Sequence, residues 1–324
     1  MNIKNEIWIL ADNRIGTFSQ SIGLAEELAM DYKVVTLSYN FLSALPNFIL
    51  SNSLLRITPD LRKKIDDFGY LPKIIISSGR RSAPIAIALK NKSKGQTKIF
   101  QIMNPNLDFK KFDLVILPKH DEVDETKNSN LITTIGSLTR IDEKRLASER
   151  EKFPELKKIT KTKIALLVGG SSKKTKFTKS DAENLAKISS RAAKNINATL
   201  LVLTSRRTGF ELIKTIKENL DCDFQLFDWN NLNGANPYLA IVALADFFIV
   251  SGDSVSMISE CASTGKPVYI FDQAKISSDK HRKFHHNLVT ENYARKLVNN
   301  LENFLPKKLQ ETKRVALLIK NKIT

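Results

Sequence analysis

Residues 247–267 read Phe247-Phe248-Ile249-Val250-Ser251-Gly252-Asp253-Ser254-Val255-Ser256-Met257-Ile258-Ser259-Glu260-Cys261-Ala262-Ser263-Thr264-Gly265-Lys266-Pro267. The opening run carries no charge and reads as a buried strand. It turns at Gly252, Asp253 or Ser254 caps the helix that follows, and Gly265 and Pro267 end that helix and feed the next strand. Strand, helix and strand in this order make a βαβ crossover, the building unit of a parallel sheet covered on both faces. A helix start with small residues and free amides also suits a phosphate. Glu260 lies about two turns into the helix, on the side of Asp253, where a carboxylate can accept hydrogen bonds from sugar or ribose hydroxyls. The competing reading is an ordinary capped helix with a solvated Glu.

Working outward, the same alternation fills the chain. Strands are expected at 7–11, 34–37, 74–77, 98–102, 114–117 and 131–135, and then at 164–168, 199–204, 224–227, 247–251 and 268–271. Amphipathic helices fall between them, among others at 19–30, 179–194 and 208–219. A length of 324 residues is long for one core. The stretch 140–162 is dense in Lys, Glu and Arg and has no strand, so it reads as the connection between two domains. The expectation is an α/β protein with two Rossmann-like, doubly wound parallel-sheet domains facing across a cleft, at 1–145 and 160–305. A C-terminal helix at 306–324 is expected to pack back on the first domain.

Composition narrows the classes of function. Hydrophobic residues make up 42% and charged residues 26%, which excludes a disordered or fibrous chain. The net charge of +17 favours polyanions, anionic membranes or phosphorylated small molecules. Abundant Lys, Asn and Ile also follow from AT-biased codons, so nucleic-acid binding is not inferred from charge. Cys222 and Cys261 form no C-x-x-C, which leaves a disulfide framework or a cysteine zinc site unsupported. The N-terminus lacks a signal peptide's apolar core, and the longest greasy stretch, 238–250, is broken by Asp246. A cytoplasmic protein is expected, peripheral to the inner face of a membrane in one of the readings below.

Only 12 glycines occur, and six of them (Gly16, Gly79, Gly136, Gly169, Gly170 and Gly252) follow expected strands. Open α/β sheets bind ligands on that edge, where backbone turns sharply and approaches the ligand. Two arginine pairs sit there too, Arg80-Arg81 after one strand and Arg206-Arg207 after another. A cation at a helix start opposes the helix dipole, a cost of a few tenths to about 1 kcal/mol that a bound anion reverses. Guanidinium groups also clamp phosphates in two-point contact. Solvated loop arginines are the bland alternative. Gly169-Gly170-Ser171-Ser172-Lys173 offers amides and a lysine to a diphosphate but matches neither the P-loop nor G-x-G-x-x-G, so ATP hydrolysis and dinucleotide redox chemistry lose ground.

Acid–base candidates are Asp12, His120 and Asp121, each just after an expected strand. A capping Asp and a surface His are the commoner outcome at such positions. His281, His285 and His286 have metal-like spacing, but Arg282 and Lys283 repel a cation and no carboxylate lies at usable spacing, so no metal site and no cofactor are expected. Finally, positions 34–55 carry no charge at all. The part holding Phe41, Leu42, Phe48 and Ile49 is greasy, is broken by Pro46, and is followed by Arg56, Arg62, Lys63 and Lys64. That pattern fits a patch resting on anionic lipid and fits a buried connection equally well.

Several of these motifs carry a family likeness. Residues 8–28 (W-I-L-A-D-N-R-I-G-T-F-S-Q-S-I-G-L-A-E-E-L), S-G-R-R-S-A-P, Q-I-M-N-P, P-K-H-D, T-S-R-R-T, N-P-Y at Asn236 and G-D-S-V-S-M-I-S-E resemble the mitochondrial-fission "elongated mitochondria" family over nearly the whole chain. That family looks like the glycosyltransferase-B superfamily. Residues 251–267 are similar to the donor-binding helix of the peptidoglycan N-acetylglucosaminyltransferase, and the resemblance implies that Glu260 holds a nucleotide ribose. Gly169-Gly170-Ser171 matches that enzyme's diphosphate loop, and Asp272-Gln273 matches its sugar-contacting segment weakly. Its glycine-rich, His-containing first loop is replaced here by Ala-Asp-Asn-Arg-Ile-Gly. Plant members are described as adaptors that recruit a dynamin-related GTPase to mitochondria.

Taken together, the sequence points to a metal-independent glycosyltransferase that uses a nucleotide-diphosphate sugar. Gly169, Gly170, Ser171, Arg206, Arg207, Asn236, Gly252, Asp253, Ser254, Ser256 and Glu260 are expected on the donor. Gly16, Gly79, Arg80 and Arg81 are expected on an acceptor, lipid-linked in one version, or on another anion. The alternative is a membrane-associated adaptor on a catalytically inactive scaffold of the same kind.

Overall fold

The computed structural model describes residues 2–323 apart from 13, 51, 173, 174, 233, 274, 275 and 299. The chain divides into two compact units, Met1–Arg140 together with Gln310–Thr324, and Ile141–Leu309.

The first unit contains β1 (Asn2–Ala11), α1 (Ile15–Leu28), β2 (Tyr32–Thr36), α2 (Pro59–Asp67), β3 (Tyr70–Ser78), α3 (Gly79–Lys92), β4 (Lys98–Ile102), β5 (Leu114–Pro118) and β6 (Leu131–Thr134). Its sheet has the order β2-β1-β3-β4-β5-β6, with every pairing parallel. Side chains alternate across the sheet. Trp8, Leu10 and Ile75 enter one apolar cluster, while Ile7, Ile9, Ile74 and Ile76 enter another. Both faces are therefore covered, which is why these strands read as unbroken apolar runs.

The second unit contains α4 (Glu143–Glu151), α5 (Pro154–Lys157), β7 (Thr162–Val168), α6 (Lys179–Asn195), β8 (Ala198–Thr204), α7 (Phe210–Asn219), β9 (Phe224–Phe227), α8 (Tyr238–Leu244), β10 (Phe247–Ser251), α9 (Val255–Ala262), β11 (Val268–Phe271), α10 (Asp279–Thr290) and β12 (Arg295–Lys296). Its parallel sheet runs β12-β11-β10-β7-β8-β9. Counted within the unit this is the Rossmann order 3-2-1-4-5-6. The direction of winding reverses between β7 and β10, and in the first unit between β1 and β3. Such switch points open a crevice at the carboxyl ends of the strands.

The domain boundaries shift, while the last helix joins the first unit as expected. The segment read as a bare connection forms α4 and α5, and 141–159 belongs to the second unit. The boundaries at 145, 160 and 305 accordingly become 140 and 309. The last helix, α11 (Glu311–Ile323), belongs to the first unit, where Val315, Ala316 and Ile319 are buried in the same cluster as Ile7 and Ile9. Thr312 Oγ1 ties it further by accepting from Thr139 N and donating to Thr139 O, both at 2.8 Å. The two-residue β12 had no counterpart in the sequence reading.

Because α11 completes the first unit's core, Ile319→Ala should cost about 2–5 kcal/mol of that unit's stability. Hydrogen exchange should accelerate in 2–140 and leave 141–309 unchanged.

Candidate functional site

The second unit gathers its polar residues at the switch point between β7 and β10. Ser251 Oγ accepts from Gly169 N at 2.7 Å and donates to Asp253 Oδ1 at 2.7 Å. Asp253 Oδ2 accepts from Gly170 N at 3.0 Å and from Arg207 Nη2 at 2.7 Å. Arg207 Nη1 also donates to Gly170 O at 3.1 Å, and Thr208 Oγ1 donates to Gly169 O at 2.6 Å. The loops after β7, β8 and β10 are thus laced together by one carboxylate, whose side chain is 1% exposed.

This arrangement explains the glycines differently from the sequence reading. A Cβ on Gly169 would lie 2.2 Å from the Asp253 carboxylate, and one on Gly170 2.1 Å from the Arg207 carbonyl oxygen. A Cβ on Gly252 would meet Ser277 Oγ at 2.7 Å. None of the three has a left-handed backbone, so close approach and not a sharp turn requires them. The two amides expected to cradle a diphosphate already bond within the chain. Ser171 Oγ accepts from Phe177 N at 3.0 Å, and Lys173 lies outside the described residues.

Ser254 caps α9, its Oγ accepting from Met257 N at 3.4 Å, while Asp253 turns away to β7. The first-turn amides of α9, at Val255 and half-buried Ser256, point out of the helix end, as they do in any α-helix. Arg206 is exposed and Asn236 Oδ1 accepts from Tyr238 N at 3.0 Å at the start of α8.

Glu260 accepts a hydrogen bond from Tyr238 Oη on α8. Burial holds its carboxyl above the ordinary 4.5, against the pull of the Tyr238 hydrogen bond and the Arg145 charge. Burial also pushes the Tyr238 hydroxyl well up.

The sequence reading missed the support beneath Gly252. His285 is fully buried, with Nδ1 3.2 Å from Asp272 Oδ2. Burial raises the Asp272 carboxyl, but the neighbouring His285 and Ser277 side chains outweigh it and the net direction is down. His281 stacks on His285 with ring centroids 6.5 Å apart, and it feels the charges of Asp253 and Arg207. Burial holds its imidazole below the usual range. The i, i+4 spacing of the two histidines was the available signal. Asp272 after β11 supplies the carboxylate that local spacing did not offer. Among the described residues no group of His, Cys, Asp and Glu could hold a metal ion.

In the first unit Asp12 follows β1 and Oδ1 accepts from Arg14 N at 3.0 Å. Gly79, with φ +73°, starts α3 directly after β3, and exposed Arg80 follows it. These residues flank the β1–β3 switch point. Arg81 lies with its guanidinium carbon 5.7 Å from the Tyr39 ring centroid. Gly16 falls inside α1 and Gly136 just beyond β6. His120, on a single turn after β5 with Asp121, is buried. Three strand spacings separate the ends of β1 and β5, roughly 14 Å, so Asp12 and His120 are not one acid–base pair. The uncharged segment is a loop fixed at its base: Arg56, 1% exposed, donates to Asn47 Oδ1 and Pro46 O, and Asn47 Nδ2 donates to Arg80 O and Pro105 O.

Two Rossmann-like parallel sheets with polar groups at their switch points define a glycosyltransferase-B-like scaffold. The UDP-GlcNAc 2-epimerase of Neisseria meningitidis, solved with UDP-GlcNAc bound, superposes with a TM-score of 0.53 at 13% identity over 98% of this chain and 99% of that one. The spinosyn forosaminyltransferase gives 0.51 at 11% identity over 98% and 94%. The mitochondrial fission ELM1 family matches residues 15–323, and the chain belongs to that family. An uncharacterized protein of Rickettsia prowazekii is 34% identical over 97% of both chains. The mitochondrial fission protein ELM1 of Arabidopsis thaliana is 27% identical over 61% of this chain and 51% of its own length.

The raised Glu260 carboxyl has a defined pH signature. A folded-state value above the unfolded one stabilises the protein fully below the ordinary 4.5, and this is lost as pH rises through the raised value. Glu260→Gln lacks that loss, so its melting temperature relative to wild type should climb between pH 4.5 and neutrality. A flat difference would contradict the burial of this carboxylate.

Proposed function

We propose that the chain binds a nucleoside-diphosphate sugar at the carboxyl edge of the second sheet and transfers the sugar without a metal ion. The observation that carries this is Arg207, held across the switch point by Asp253 and Gly170 O beside the start of α9. The amides of Val255 and Ser256, the α9 dipole and the arginines offer the departing diphosphate fixed positive charge. Because Ser251 Oγ and Asp253 Oδ2 already take the amides of Gly169 and Gly170, the diphosphate sits outside that turn, against Arg207 and the first turn of α9. Glu260, carrying the ribose role that the resemblance implies, accepts a ligand hydroxyl in place of Tyr238 Oη. In the transfer the bond from the sugar C1 to the diphosphate breaks and the diphosphate leaves with the electron pair. An acceptor oxygen bonds to C1, and its proton passes to a general base. The neighbour with UDP-GlcNAc bound supports a sugar nucleotide as ligand.

A thermal-shift panel of nucleoside mono- and diphosphates and their sugars tests this. At about 100 times its Kd a ligand adds about 2.7 kcal/mol, so a true donor should raise the melting temperature by several degrees. Absence of stabilisation by every diphosphate would sink the proposal.

A second reading has its own observation. In the loop between β2 and α2, Phe41 is 84% exposed, Phe48 79% and Ile49 52%, with Leu42 half-buried and the cations Lys63 and Lys64 exposed on α2. Large exposed apolar side chains followed along the chain by exposed cations suit an anionic membrane surface, as an adaptor of the mitochondrial-fission type would use. No helix among the described residues is long and apolar enough to cross a membrane. Phe48→Asp should abolish co-sedimentation with anionic liposomes. Lipid binding by a wild-type protein that binds no nucleotide would favour the adaptor over the transferase.

A further inference from the structure

We infer that Arg207, and not its neighbour Arg206, is the phosphate-contacting arginine of the second unit, and that buried Asp253 is the residue that positions it. The inference rests on the nucleoside-diphosphate reading and deepens it by dividing labour within the Arg206-Arg207 pair.

The two arginines differ in what holds them. Arg206 is exposed and makes no hydrogen bond or ion pair among the described residues. Arg207 is anchored twice, through Nη2 to Asp253 Oδ2 at 2.7 Å and through Nη1 to Gly170 O at 3.1 Å. A guanidinium has five N–H donors in a rigid plane, so three remain for a ligand. The Arg207 side chain is still 38% exposed, which leaves that outer edge accessible. Arg206 would surrender its rotamer freedom on binding an anion, whereas Arg207 has already surrendered it in folding.

Asp253 has a different task. Its carboxylate is 1% exposed and takes hydrogen bonds from Ser251 Oγ, Gly170 N and Arg207 Nη2. It is turned inward and acts on a ligand through the guanidinium. The geometry around it is fixed by the glycines: any side chain at position 169 would collide with the carboxylate, and any at 170 with the backbone of Arg207.

Calorimetric titration of the full chain with UDP, ADP, GDP and dTDP, each beside its nucleoside, tests the assignment. Arg207→Met should weaken the tightest diphosphate by about tenfold or more while leaving its nucleoside nearly unaffected, because a charge-assisted hydrogen bond to phosphate is lost. Arg206→Met should stay within about threefold, as for an exposed cation. Asp253→Asn should also weaken the diphosphate selectively, and combining it with Arg207→Met should add little, since both act through one guanidinium. Should Asp253→Asn fail to fold, the two arginine variants decide the matter alone. A larger loss in Arg206→Met than in Arg207→Met overturns the inference, as does an Arg207→Met loss that is equal for nucleoside and diphosphate. Diphosphate binding by wild type that survives Arg207→Met sinks this assignment and leaves the functional reading standing. No binding of any diphosphate by wild type sinks both.

Discussion

A buried carboxylate has to find its solvation inside the protein. Left unpaired, a buried charge costs several kcal/mol, and Asp253 meets that cost with a hydroxyl, a backbone amide and a guanidinium drawn from three loops. Each donor comes from the carboxyl end of a different or adjoining strand: Ser251 from β10, Gly170 from β7 and Arg207 from β8. Those three ends cannot separate without exposing an uncompensated charge. The crevice of the second sheet is therefore held by electrostatics at its mouth and by apolar packing at its base. The buried His285–Asp272 pair supports the same corner from below, against Gly252. Much of the geometry of this edge is thus settled by contacts within the chain.

The first unit solves the equivalent problem with a cation. Arg56 is inside, and it donates through Nη1 to Asn47 Oδ1 and through Nη2 to Pro46 O, while its Nε is left without a partner among the described residues. Burial and the nearby Arg80 charge both push its guanidinium down from its ordinary value, though it stays charged. Asn47 then spends its amide on Arg80 O and Pro105 O, carbonyls beyond β3 and β4. One buried polar node thus fixes a loop that carries exposed Phe41, Phe48 and Ile49 to the strand edge where Arg80 sits.

Most of the fold is legible in the sequence because both sheets are parallel and their inner strands, such as β1, β3, β7, β8 and β10, are covered on two faces and carry long apolar runs. Residues 98–102, 224–227, 247–251 and 268–271 coincide with β4, β9, β10 and β11. β12 has only two residues, Arg295 and Lys296, at the edge of its sheet, and leaves no apolar trace. The helices α4 and α5 were hidden by their charge: α4 is nearly all polar and buries no residue fully, yet it packs along α8. The site was legible by position and obscure by partner. Gly169-Gly170 announces close approach of an anion, but local sequence does not say whose anion it is. The answer is a side chain 83 residues away, a separation no spacing rule spans.

That answer bears on whether the scaffold is a working site or a relic. Replacing a buried ion pair by well-packed apolar residues is commonly neutral or stabilising, so stability alone gives no reason to set Asp253 and Arg207 at a switch point. Apolar residues of similar volume would hold three loops together at lower desolvation cost. They would not leave a guanidinium with three unspent donors at the edge of the sheet. An adaptor that uses only the exposed Phe41–Phe48 loop of the first unit makes no demand on the second unit's edge. A charged pair that is half spent on the fold and half open to solvent is what the proposed phosphate ligand would use, and it lies at the strand edge where open α/β sheets bind their ligands.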